Sequence, residues 1–116
     1  MSRLHLTARF KIQSGRSDVF RSIASKCIAA VRENEINAGC SRYDWFYNDD
    51  YSICDVLETY SGNEAFFEHM NNVGAHLQEL LAISEFSGSV YGSPSDALKK
   101  ALDGMDVTFL SFEAGA

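Results

Sequence analysis

The stretch from Leu4 to Ile12 constrains the fold most tightly: Leu4, Leu6, Ala8, Phe10 and Ile12 alternate strictly with His5, Thr7, Arg9 and Lys11. A period of two is that of a strand whose successive side chains point to opposite faces, so one face of this strand is buried and the other is wet. A sheet covered on one side needs helices, or a second sheet, against its apolar face. A helix follows at once. After a turn at Ser14-Gly15, Ser17 is the expected N-cap and Asp18 suits the positive end of the helix dipole. Val19, Phe20, Ile23, Ala24, Cys27, Ala30 and Val31 then recur at helical spacing and form one stripe that packs on the sheet. Asn34 through Gly39 ends the helix.

The segment SRYDWFYNDDYSICDVLETY reads as a hairpin, with aromatic and β-branched residues on both sides of Asn48-Asp49-Asp50. Tyr43, Trp45 and Tyr47 share one face of its first arm, while Asp44, Phe46 and Asn48 share the other. In SGNEAFFEHMNNVGAH, Phe66, Met70 and Val73, continued by Leu77 and Leu80, make the core stripe of a second helix, which Gly74 is placed to interrupt. A strand near SEFSGSVYG, a short helix opened by Ser93-Pro94 and stopped near Gly104, and a last strand, DVTFLSF, complete the chain. Strand, helix, hairpin, helix and strand in that order predict an α+β, ferredoxin-like split βαβ sandwich, with an antiparallel sheet and helices on one face. We read one domain over 1–116, with a core at 4–92 and a helix and strand extension at 93–113. The uncovered face would expose Trp45 or Phe46, and a second sheet in a two-fold homodimer is the simplest cover.

Composition narrows the partners. The net charge is −6, from 16 acidic and 10 basic residues, and the basic residues form no stripe, so neither nucleic acid nor an anionic membrane is an expected partner. No apolar run approaches the ~18 residues of a membrane span, and the start of the chain lacks a signal peptide's apolar region; a cytoplasmic protein is expected. Cys27, Cys40 and Cys54 are odd in number and lack C-x-x-C spacing, which fits reduced thiols better than disulfides or zinc ligands. Glycine-rich phosphate loops and a G-x-S-x-G nucleophile motif are absent from the sequence.

His69 and His76 lie on the second helix, one position beside the core stripe and about two turns apart. Zinc pairs on a helix stand at i and i+4 and need a third ligand, so no metal is expected. Glu64 and Glu68 have the spacing of a solvated acidic face. The bland reading makes both histidines boundary residues, half buried and hydrogen-bonded; the sharper one places His69 over a pocket between helix and sheet. The aromatic set of Tyr43, Trp45, Phe46, Tyr47, Tyr51 and Tyr60 suits a flat ligand bearing hydroxyl or keto groups, and equally suits a dimer interface.

ARFKIQSG, GCSRYDWFYN and VLETYSGNEAFFEH, with AHLQEL after them, resemble the antibiotic biosynthesis monooxygenase domains. The resemblance rests chiefly on Glu58, Tyr60, Ser61, Glu64-Ala65 and His69 in succession. It implies a dimeric α+β barrel of two ferredoxin-like protomers, and oxygenation of quinol or polyphenol-like aromatics by dioxygen without a cofactor. On this reading His69 is the candidate base, with Trp45 and Asn48 beside it in the catalytic set. Tyr43, Tyr60, Phe66 and His76 are the candidate substrate contacts. The alternative is a non-catalytic protein of the same fold that binds small aromatics or serves in stress.

Overall fold

The structure, a computed structural model, describes residues 3–116; Met1 and Ser2 of the expected domain span lie outside the described residues. Eight elements follow in order: β1 (Leu4–Ile12), α1 (Ser17–Asn34), β2 (Cys40–Tyr47), β3 (Ile53–Tyr60), α2 (Asn63–Leu81), β4 (Ser84–Tyr91), α3 (Asp96–Ala101) and β5 (Val107–Leu110). They form one five-stranded sheet in the order β2-β3-β1-β4-β5, with α1 packed beside α2. This is the α+β, ferredoxin-like architecture, and the two-residue period of β1 sets its inside: Leu4, Leu6, Ala8, Phe10 and Ile12 are all buried. Phe20, Ile23, Cys27 and Val31 of α1 and Phe66, Val73 and Leu80 of α2 close over that face.

Three expectations are adjusted, and a fourth, which left two aromatics open, is resolved. Ser17 does not cap α1; its hydroxyl donates to the Tyr51 carbonyl in the hairpin turn, and Arg16 holds the cap position without a side-chain bond. α2 runs unbroken through Gly74, because packing on the sheet outweighs the roughly 1 kcal/mol that glycine costs a helix. The sheet is mixed rather than antiparallel throughout. β5 pairs parallel to β4, because the connection through α3 returns the chain from the end where β4 finishes toward the end where it began. Of the two aromatics proposed for the uncovered face only Phe46 is there, 51% exposed, while Trp45 turns toward the helices.

The C-terminal segment is tied down at its start. The Ser95 hydroxyl caps α3 by accepting from the Leu98 amide, and the Ser95 amide donates to Asn63 Oδ1 at the start of α2. Leu98, fully buried, anchors α3 in the core.

Candidate functional site

Between the helices and the sheet lies a cavity of about 270 Å³. Its floor comes from strand register. Trp45, Val56, Ala8, Gly88 and Val107 lie in one row across all five strands, between a row holding Glu58, Leu6 and Val90 and another holding Phe10 and Phe86. α2 roofs it with His69, Met70, Val73, Gly74 and Leu77, and Gln78, which is exposed, stands at the mouth.

His69 is no boundary residue: it is 6% exposed. Its Nδ1 lies 2.9 and 3.1 Å from the two carboxylate oxygens of Glu35, which is itself buried just past the end of α1. Since carboxylate oxygens accept, Nδ1 donates and Nε2 is left as the acceptor in the neutral ring. Asn72 holds Glu35 in place, donating to Oε2 at 2.7 Å and to the Ala30 carbonyl at 2.9 Å. The imidazole is wedged by the rings of Tyr43, Tyr60 and Phe66, with centroids 5.0, 5.1 and 6.0 Å away. Both its tautomer and its plane are therefore held.

On the far side of the ring, Nε2 is 3.6 Å from Glu58 Oε1. Glu58 points inward from β3, as the register with Leu6 and Tyr43 requires, and the Tyr60 hydroxyl donates to its Oε1 at 2.6 Å. Burial pushes the Glu58 carboxyl above the ordinary carboxylate range, and the nearby Glu35 adds to this; His69 and the Tyr60 hydrogen bond oppose it. Glu35, His69, Glu58 and Tyr60 thus form a chain that sets a histidine nitrogen and a carboxyl of raised pKa beside one apolar cavity. The neighbouring hydroxyl and thiol stay protonated: burial, with the Glu58 charge next, drives Tyr43 upward, and burial pushes Cys27 up to about 11. Cys27 is for that reason a poor nucleophile. Trp45 also lines the cavity, and its indole Nε1 is buried without a hydrogen-bond partner.

The candidates named from sequence divide. His69, Tyr43, Trp45 and Phe66 share the cavity wall, and Tyr60 reaches it only through Glu58. Asn48 lies apart in the hairpin turn, where its side chain bonds Ser52 and the Ile53 amide. His76 is partly exposed and faces Glu79 at 3.4 Å. Two members of the chain were not anticipated as site residues. Glu58 carried a signal, since the alternation of β3 puts a carboxylate on the same face as Cys54 and Val56; Glu35 carried none, because only the return of the chain brings it to His69. Among the described residues no group of three or more His, Cys, Asp or Glu side chains is placed to hold a metal ion. Among the same residues no helix is long and apolar enough to cross a membrane.

No family model matches the chain, and no curated protein matches it in sequence. Solved structures do. MupZ from Pseudomonas fluorescens superposes with a TM-score of 0.84 at 18% identity, over 100% of this chain and 94% of that one. A candidate antibiotic biosynthesis monooxygenase from Caulobacter crescentus gives 0.65 at 20% identity, over 77% and 85%. SnoaB, a cofactor-independent oxygenase from Streptomyces nogalater, gives 0.65 at 16% identity, over 82% and 96%. At these identities it is the fold that is shared, and in MupZ the match takes in the C-terminal segment as well.

Proposed function

We propose, from the fold this chain shares with antibiotic biosynthesis monooxygenase-like proteins, that the cavity binds a small electron-rich phenol of the quinol or polyphenol type and oxygenates it with dioxygen. The observation that carries this reading is the Glu35–His69 pair, which presents a tautomer-fixed imidazole nitrogen to an apolar cavity. His69 Nε2 takes the phenolic proton, and Glu35 stabilises the imidazolium so formed. The Trp45 indole, which lines the cavity, packs against the ring of the bound phenol. The phenolate gives one electron to dioxygen, the two radicals recombine as a peroxide at a ring carbon bearing hydrogen, and the His69 imidazolium returns its proton to make the hydroperoxide. Loss of water from it leaves a carbonyl. One oxygen atom stays in the product and the other leaves as water, the substrate supplying all the electrons. The apolar walls shield the radical pair from solvent.

Oxygen uptake with a dihydroxynaphthalene or an anthrone, measured with a chelator present, tests the reading. Wild type should consume oxygen, and His69→Gln should reduce turnover by ~10²-fold or more. The glutamine amide can still donate to Glu35, so this variant should fold, whereas His69→Ala strips a buried carboxylate of a donor and should cost about 1–3 kcal/mol. Binding of the same compounds without uptake would point instead to the non-catalytic reading. A second reading is favoured by Glu58: a carboxyl of raised pKa 3.6 Å from a histidine nitrogen is an acid–base pair suited to redox-neutral proton transfer, such as enolisation or ring closure. Product formation without oxygen uptake would identify it. We assign the working unit as a homodimer, on the strength of the fold and the apolar residues left on the uncovered sheet face, and place it in the cytoplasm because its three cysteines are free thiols.

A further inference from the structure

We infer that the cavity takes its ligand lengthwise across the strands, with the oxygenated end at Glu58 and His69 and an unbranched apolar tail reaching beneath the C-terminal segment. The ligand class is then a small phenol carrying an alkyl chain rather than a compact fused-ring system; the identity of the head rests on the function proposed above, and the course of the tail does not.

Three observations carry this. The floor is a furrow, because the row through Ala8 and Gly88 is low between a row with Leu6 and Val90 and a row with Phe10 and Phe86. Gly88 is tight for a larger residue, because the Phe86 ring leans over it: an added Cβ would lie 3.0 Å from that ring and 3.2 Å from the Thr7 carbonyl oxygen. Apart from Gln78 at the mouth, the polar side chains are gathered at one end: Glu58, His69 and Tyr43 stand at the β2–β3 end, while α3, β5 and the link between them contribute only Ala101, Leu102, Met105 and Val107. Length also disagrees with a compact ligand. Glu58 and Val107 are three strand spacings apart, roughly 14 Å, and both line the same cavity of about 270 Å³. A chain spans that distance, and a compact fused-ring system does not.

Titration calorimetry with 4-alkylphenols from methyl to octyl tests the course of the tail, using wild type, Val107→Phe and Met105→Phe, with thermal melts to check folding. Affinity should rise about fourfold per methylene and level off near about six carbons, where a ring and its chain span those three strand spacings. Both variants should move the break to chains about two carbons shorter and leave 4-methylphenol binding within about twofold. Met105 lies in the α3–β5 link, partly exposed, and serves if Val107→Phe does not fold. Equal affinity for the methyl and hexyl compounds, or a break that stays put in a folded variant, would overturn the inference. Chain-dependent binding in a protein that consumes no oxygen would uphold it while removing the oxygenation reading.

Discussion

Glu58 is the residue whose environment conflicts most with its chemistry. It is a carboxyl on the apolar side of a sheet, answered by one tyrosine hydroxyl and a histidine nitrogen too distant for a hydrogen bond. Because burial raises its pKa on folding, the folded chain binds this proton more tightly than the unfolded chain. Its contribution to stability is therefore full below the ordinary carboxylate range and is lost as pH rises from there through the raised folded value. Glu58→Gln removes the titration while keeping an acceptor for the Tyr60 hydroxyl. The variant should melt like wild type near pH 3 and above it at pH 8, the gap opening as pH rises through the carboxylate range and beyond. A difference that does not change with pH would show that Glu58 is not the group responsible.

At the level of elements, the site depends on the corner where α1, β2 and α2 meet. Gly39 adopts a φ of +104°, its carbonyl accepts from the Ser61 amide at 2.8 Å, and a Cβ there would lie 2.5 Å from Ser61 Oγ and 2.7 Å from Ala65 Cβ. Only glycine allows both the left-handed turn and the close approach. The same corner sets Glu35, four residues back along the chain, against His69, one helical turn beyond Ala65. Gly39→Ala should cost at least about 2 kcal/mol, from strain and overlap together, and should lower activity more than an equally destabilising substitution remote from this corner. Chemical denaturation paired with the turnover assay would measure both, and a variant as stable as wild type would contradict the account.

Over the whole molecule, the helix-covered face is packed core around the cavity described above, whereas the opposite sheet face keeps Arg9 and Asp55 as an exposed ion pair and leaves Phe46, Tyr91 and Leu110 open to solvent. Phe112, beyond β5, is 78% exposed. Exposed surface ion pairs contribute little to stability, so the apolar residues dominate what this face can gain from a partner. A two-fold homodimer that brings two such faces together is the expected state at micromolar concentration, and Phe46→Lys should shift it toward monomer. Sedimentation velocity would measure the equilibrium, and a wild-type chain that remains monomeric would remove the dimer from the proposal.

Local periodicity determined the elements and their order. The alternation of β1, the stripes of α1 and α2, and the polar turn at Asn48-Asp49-Asp50 each follow from side-chain spacing within one element, and such spacing survives in any context. His69 too could be singled out, from its place beside the α2 stripe and the motif around it. Only the tertiary structure decided what His69 does there. Its partner Glu35 is 34 positions away, brought in by the packing of α1 on α2, and no local pattern encodes that meeting. The burial that fixes the ring of a helix-edge histidine, the raised pKa of Glu58, the exile of Asn48 to a self-bonded turn and the parallel docking of β5 arise likewise between elements. Electrostatics and desolvation depend on what surrounds a group in space, and that is settled only when the sheet and helices close on one another.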